Sequence, residues 1–136
     1  MYALKRMLCQ DAESRSIAEK EIRMMKLLKG HPNIAQYIAS TSRENRQSST
    51  TAMEYFILME LCTGGSLIDL IKRRQSSNSK LAELEMCQLF QQVCRAIAHM
   101  HSQQPPIAHR DIKIENVLIS ARGELKVTST QQHTAP

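Results

Sequence analysis

The sequence predicts an α+β protein, and four features of it do so. The opening segment "YALKRML" has a strand's period of two. It is followed over 12–29 by Ile17, Ala18, Ile22, Met25 and Leu28 at three- and four-residue steps, the spacing of an amphipathic helix. The apolar run "EYFILMELC" is short enough for a buried strand. A second helical register, Met86, Phe90, Val93, Ile97 and Met100, runs through about 83–102. The order is strand, helix, strand, strand, helices, then a polar loop and a hairpin, so strands and helices are grouped rather than strictly alternating.

Each element has its own local cause. In the first strand Ala3 and Lys5 share a face. The helix over 12–29 ends at "GHPN", where Gly30 supplies the stop and Pro32 cannot continue it. "NIAQYIAS" reads as a strand. The polar stretch "TSRENRQSSTTA" reads as an exposed loop, because it offers too little apolar surface to order itself. "TGGS" is a breaker before a short helix over 67–74, and "QSSNSK" is another loop. "QQPP" stops the long helix, and "ARGE" turns the chain into the short strand "LKV". No internal repeat occurs.

With 136 residues the chain has room for one modest domain and not two. It is 42% hydrophobic and 23% charged, but it has no Trp, three Tyr and two Phe. Core volume therefore falls to Leu, Ile and eight Met, which fill space adaptably and specify shape loosely. A net charge of +5 favours acidic partners. The charges are dispersed, and the one dense cluster, Lys72 to Arg74, reads as a solvated helix face rather than a nucleic-acid patch. Cys9, Cys62, Cys87 and Cys94 lack zinc-site spacing, and no secretory signal precedes them. Reduced thiols in a cytosolic or nuclear compartment follow, and a cytoplasmic setting is expected. His99 and His101, two apart on a helix, point to different faces and read as surface residues rather than ligands with Cys94. No apolar run reaches membrane-spanning length.

The densest polarity is "HRDIKIEN", His109 to Asn116, between the apolar flanks "PPIA" and "VLIS". Asp111 can accept a hydroxyl proton. Lys113 can neutralise phosphate oxygens, and the amide oxygen of Asn116 can ligate a hard cation such as Mg²⁺. The group suits phosphoryl transfer.

This stretch resembles the catalytic loop of eukaryotic protein kinases, H-R-D-x-K-x-x-N. Other segments match the same family in family order from Tyr2 to Val127. "YALK" resembles the strand bearing the nucleotide-binding Lys, and Glu21 in "AEKEIRMM" sits where the family's helical Glu pairs with it. "GHPNI" resembles the step from helix to next strand, and "ILMELCTGGSL" the connector between lobes. Within the superfamily, "YALKRM", "MKLLKGHPNIAQY" and "CRAIAHMHSQQPPIAHRDIKIENVLIS" are most similar to the Numb-associated and cyclin-G-associated serine/threonine kinases.

The resemblance implies a partial two-lobe kinase fold over 1–128. A partial small lobe covers 1–60, a hinge 61–65 and the start of a helical large lobe 66–128, with a divergent polar tail over 129–136. It implies Lys5 as the contact to the ATP phosphates, oriented by Glu21. Glu60 and Cys62 would offer main-chain hydrogen bonds to adenine, Met59 would limit the pocket's depth, and Ala3 and Leu118 would sandwich the ring. Asp111 would orient or deprotonate the substrate hydroxyl, Lys113 would steady the transferred phosphate and Asn116 would hold Mg²⁺. Protein substrates are implied, clathrin-adaptor-like by analogy with the Numb-associated members, and nucleic acid is not.

Two departures set the expectation for activity. The glycine-rich hairpin that precedes the Lys-bearing strand in the family is not in this sequence. After "LKV" the family has one residue and then D-F-G, whereas here Ser129, Thr130 and Gln131 follow Thr128, and no carboxylate occurs after Glu124. A neutral hydroxyl cannot replace the charge of the metal-binding Asp. Losing one preorganised charge of this kind removes about 2.7 to 4 kcal/mol of transition-state stabilisation. The expectation is an incomplete serine/threonine kinase, truncated at both ends, with little or no activity as this chain. The alternatives are a non-catalytic kinase-like interaction module or a truncated product without function. The helix bearing Glu21 and the long helix are both expected to expose apolar stripes.

Overall fold

A computed structural model describes residues 1–45 and 52–128. The chain divides into two compact units, one of residues 1–29 and 36–61, the other of residues 30–35 and 62–136.

The first unit is a three-stranded antiparallel sheet carrying one helix. Strand β1 is Tyr2–Cys9, helix α1 is Ala12–Leu27, β2 is Tyr37–Asn45 and β3 is Ala52–Glu60, and the sheet order is β1-β3-β2. The predicted alternation appears in β1. Ala3, Lys5 and Met7 are half-buried and Cys9 is buried, while the residues between them are exposed. Asp11 caps α1 by accepting from the Ser14 backbone, and Ser14 closes a capping box. The helix ends slightly short of the predicted 29, and Gly30 at φ +100° provides the left-handed turn an L side chain resists. Tyr37, Ile57, Met59 and Met25 form one buried cluster, joined by Ala3, Met7 and Ile22. Cys9, Ala18 and Tyr55 form a second. The expected stripe on α1 is largely covered, since Ala18, Met25 and Leu28 are buried and Ile17 is exposed.

One reading of the sequence is corrected here. "TSRENRQSSTTA" is not a loop throughout: Thr41–Asn45 belong to β2 and Ala52 is a buried residue of β3, while 46–51 lie outside the described residues. Polar side chains do not prevent an edge strand, because the backbone ladder to β3 satisfies the peptide groups and the side chains stay wet. Arg43 ties the strand down. Its guanidinium donates to Glu54 Oε2 at 2.7 Å and lies 5.2 Å from the Phe56 ring centre. Conversely β2 begins only at Tyr37, so the first part of "NIAQYIAS" is not in the sheet.

The second unit is built on two helices and a hairpin. Helix α2 is Leu67–Ser76, α3 is Glu83–His101, a 3₁₀ turn spans Ile114–Asn116, and β4 Val117–Ile119 pairs antiparallel with β5 Leu125–Val127. Ser66 and Asp69 form the capping box of α2. A Cβ on Gly64 would fall 2.7 Å from Ile119, so this close approach of the chain to β4 requires glycine.

Residues 33–35 also belong to this unit. Ile34 bridges Val127, Ala35 N–H donates to Val127 O at 3.0 Å and Val127 N–H to Asn33 O at 2.9 Å. The Asn33 amide donates to Leu125 O and to Gln92 Oε1. His31 stacks on His99 with ring centres 4.7 Å apart, so His99 is half-buried rather than a plain surface residue. The lower part of α3 is buried through Ala96 and Met100. Its upper part is not, and Leu84 and Phe90 are each 70% exposed and Met86 49%.

Candidate functional site

The first unit brings Lys5 and Glu21 together. Lys5 points inward from β1 and Glu21 inward from α1, and their approach follows from the two elements packing through Ala3, Met7, Ile22 and Met25. Lys5 Nζ donates to Glu21 Oε1 at 2.7 Å, with the side chains 23% and 10% exposed. The ammonium keeps further donors for an anion while the carboxylate holds it in place. Ala3 lies directly across the ladder from Met59, one residue pair from the edge of this site. Met59 is buried in the core cluster, so packing fixes its side chain. Glu60 spends its main-chain N–H on Gln36 O at 2.9 Å, so a main-chain contact from Glu60 to a ligand falls to its carbonyl.

The second unit brings Asp111, Lys113 and Asn116 together. Asp111 Oδ2 accepts from Asn116 Nδ2 at 2.7 Å and pairs with Lys113 Nζ at 3.2 Å, and the same Asn116 nitrogen donates to Asp111 O at 2.9 Å. The Lys113 hydrogen bond first, and the Asn116 hydrogen bond with it, hold the Asp111 carboxyl below its ordinary range against some desolvation. Asp111 is therefore an ionised acceptor at neutral pH. Because Asn116 donates through its nitrogen to Asp111, its amide oxygen is turned away and available as a ligand.

The backbone of this loop is held from two sides. Asp111 N–H donates to His109 Nδ1 at 3.3 Å, so His109 Nε2 carries the proton it shares in a short hydrogen bond with Thr128 O. Thr128 in turn donates both its N–H and its hydroxyl to Asn116 O, each at 3.2 Å. Arg110 sits at φ +65°, a conformation an L side chain adopts at a cost. Leu118 is half-buried on β4, paired with Lys126 and bridged to Ser66. Cys62, half-buried and in no disulfide, opens the same unit.

Sequence reasoning assigned no role to His109 or Thr128, and the backbone strain at Arg110 was not visible in it. His109 carried a signal, since it opens the motif. Thr128 carried none. Equally hidden was Glu54, which is 1% exposed and pairs with Arg6 and Arg43 on the sheet face away from α1. Hydrogen bonds from Arg6 and then Arg43 depress its carboxyl below the usual range.

Oxygen ligands suit Mg²⁺, which keeps water and phosphate oxygens in its shell rather than filling it from protein. Asn116, whose amide oxygen is left over by its bonds to Asp111, fits that habit. Among the described residues no three His, Cys, Asp or Glu side chains converge as a metal cage. No helix among them is long and apolar enough to cross a membrane.

A half-buried Lys–Glu pair between strand and helix, with an ionised Asp, a Lys and an Asn in one loop, is the residue chemistry of phosphotransferases. Residues 1–129 match the protein kinase domain family, and the chain belongs to it. It is 43% identical over 118 residues to a protein of Dictyostelium discoideum named as a probable serine/threonine-protein kinase, covering 87% of this chain and 10% of that one. It is 40% identical over 126 residues to a serine/threonine-protein kinase of Schizosaccharomyces pombe, covering 93% and 13%. It is 41% identical over 124 residues to actin-regulating kinase 1 of Saccharomyces cerevisiae, covering 91% and 19%. The chain thus spans between a tenth and a fifth of the length of these relatives.

Proposed function

We propose that the chain carries catalytic-domain residues of a serine/threonine protein kinase of the Numb-associated kind, and that as this chain it has little or no transfer activity. The observation that carries the reading is the Asp111–Lys113–Asn116 cluster, ionised at Asp111 and locked by hydrogen bonds. In the reaction, the substrate hydroxyl oxygen bonds to the γ-phosphorus of ATP as its bond to the β–γ bridging oxygen breaks, and ADP leaves. Asp111 orients the hydroxyl and takes its proton. Lys113 offsets charge on the moving phosphoryl group, and Lys5, steadied by Glu21, does so on the α- and β-phosphates. Asn116 would be the protein ligand of Mg²⁺, which when bound would supply charge neutralisation at the phosphates.

Glu60, through its carbonyl, and Cys62 are the proposed main-chain contacts to adenine, with Ala3, Met59 and Leu118 as its apolar surroundings. Low activity is proposed because Ser129, outside the described residues, occupies the position of the family's second metal ligand. A cytoplasmic setting and clathrin-adaptor-like protein substrates are part of the same proposal.

The test is radiolabelled phosphate transfer from ATP with Mg²⁺ to a generic protein substrate, together with nucleotide binding by calorimetry. Transfer at background with measurable binding that weakens on Lys5→Met is expected. Robust transfer that Asp111→Asn abolishes would overturn the inactivity while keeping the kinase reading, and undetectable nucleotide binding would remove the reading of Lys5. A second reading, a non-catalytic interaction module, is favoured by the exposed Leu84, Met86 and Phe90 on α3.

A further inference from the structure

The one dense basic cluster of the sequence, Lys72 to Arg74, has no part in the site described above. Just beyond it come Ser76, the last residue of α2, and Ser77, its C-cap, both exposed. Arg74 stands two residues before Ser76, Arg73 three and Lys72 four. Protein kinases that choose substrates by charge place carboxylates where such guanidiniums fall, because Arg meets a carboxylate through two parallel hydrogen bonds. Ser76 has both arginines within the three preceding positions, and Ser77 has one. Local structure there yields easily: none of the 10 residues of α2 is buried, and 77–82 belong to no helix or strand.

The hydrogen bonds of this last turn show what a phosphate on Ser76 would meet. Ser76 Oγ donates to Arg73 O at 2.9 Å, and Ser77 Oγ donates to the same carbonyl at 3.0 Å. Ser76 and Arg73 stand one turn apart on one side of the helix. The Arg73 guanidinium donates to Gly64 O at 3.0 Å, and Gly64 N–H in turn donates to Ile119 O at 2.9 Å, so Arg73 ties α2 to the connector at 61–65. A phosphate carries a charge of about −2 and three strong acceptor oxygens, and it outcompetes a neutral carbonyl for a guanidinium. It also adds negative charge at the negative end of the helix and removes a hydroxyl donor from the last carbonyls.

We propose that Ser76 is a phosphorylation site for a second, arginine-directed protein kinase, and that the phosphate takes Arg73 from the Gly64 carbonyl. In the transfer, Ser76 Oγ bonds to the γ-phosphorus of ATP held by that kinase as the bond to the β–γ bridging oxygen breaks. The hydroxyl proton passes to that kinase's catalytic carboxylate, and ADP leaves. The connector then loses its tie to α2, and the last turn of the helix loosens. None of this depends on transfer activity in the chain itself.

The test incubates the whole chain with a purified arginine-directed protein kinase, ATP and Mg²⁺, and maps the phosphate by mass spectrometry. A phosphate at Ser76 is expected. Ser76→Ala should remove it and Ser77→Ala should leave it, while Arg73→Gln lowers the rate of incorporation about tenfold. A kinase directed to acidic sequences should leave Ser76 unmodified. In the NMR spectrum of the wild-type chain, phosphorylation should shift the amides of 72–77 and that of Gly65, whose peptide unit carries the Gly64 carbonyl, and leave 109–116 in place. In Arg73→Gln the Gly65 amide should already be shifted, with nothing further on phosphorylation. Circular dichroism checks that the variants fold, and the wild-type phosphate and shift maps decide the matter if one does not. Phosphate absent from Ser76, a full rate in Arg73→Gln, or phosphorylated Ser76 with Gly65 unmoved overturns the proposal.

Discussion

Lys5–Glu21 and Asp111–Lys113–Asn116 are built in opposite ways. The first pair joins residues sixteen apart that two regular elements carry, and its geometry is set by the packing between β1 and α1. The second joins residues within five positions on irregular backbone, held by side-chain-to-backbone hydrogen bonds and by the contacts of His109 and Thr128. Regular elements transmit positioning through apolar contact, whereas a loop must satisfy its own polar groups. The first region should therefore fail through its core and the second through its hydrogen bonds.

The largest expected effect breaks the first region. Met25→Ala opens a cavity beside the pair and should cost about 2 to 5 kcal/mol in urea unfolding, with amide exchange accelerated in α1 and the sheet. Asn116→Ala should break the second. It removes both bonds to Asp111 from a buried position, so a loss of about 1 to 3 kcal/mol is expected, with exchange faster around 109–128. Lys5→Met is a milder break in the first region, about 1 to 2 kcal/mol, because Glu21 stays largely buried without its partner but keeps slight access to water. Equal sensitivity of both regions to Met25→Ala and Asn116→Ala would contradict the contrast.

Acid sharpens the comparison. Burial first, then His99, Lys126 and Arg95, lower the pKa of His31 in the second unit. A histidine lowered on folding stabilises above its unfolded value, about 6.5, and that contribution is lost as pH falls through the folded value. Glu54 in the first unit and Asp111 in the second are also lowered. Their contributions are complete above the unfolded carboxylate values, about 4, and are lost only as pH falls below these. Urea midpoints from pH 7 downward should show exchange in the second unit rising first, a step that His31→Asn removes. The smallest effect belongs to a wet pair: Arg74→Gln, whose partner Glu85 is 35% exposed, should cost at most about 0.2 to 1 kcal/mol.

Much of the fold was legible because period carries it. Alternation placed Ala3 and Lys5 on one face of β1, helical spacing placed Ala18 with Ile22 and Met25 on one face of α1, and the apolar run gave β3. The polar half of β2 was hidden, since an edge strand needs a partner's backbone more than its own hydrophobicity. Phe90 belongs to the apolar register of the long helix and is exposed, as the stripe expected on that helix requires. Periodicity identifies an apolar face but not what covers it.

By itself the sequence determined which residue types could do the chemistry and how far apart they stand, because strand and helix periods and the spacing of "HRDIKIEN" are properties of the chain. Only tertiary structure decided that Lys5 reaches Glu21, that residues 33–35 join β5, and that Glu54 lies buried between two arginines. Those contacts join segments remote in sequence, and their geometry arises from packing and hydrogen bonding that no local pattern encodes.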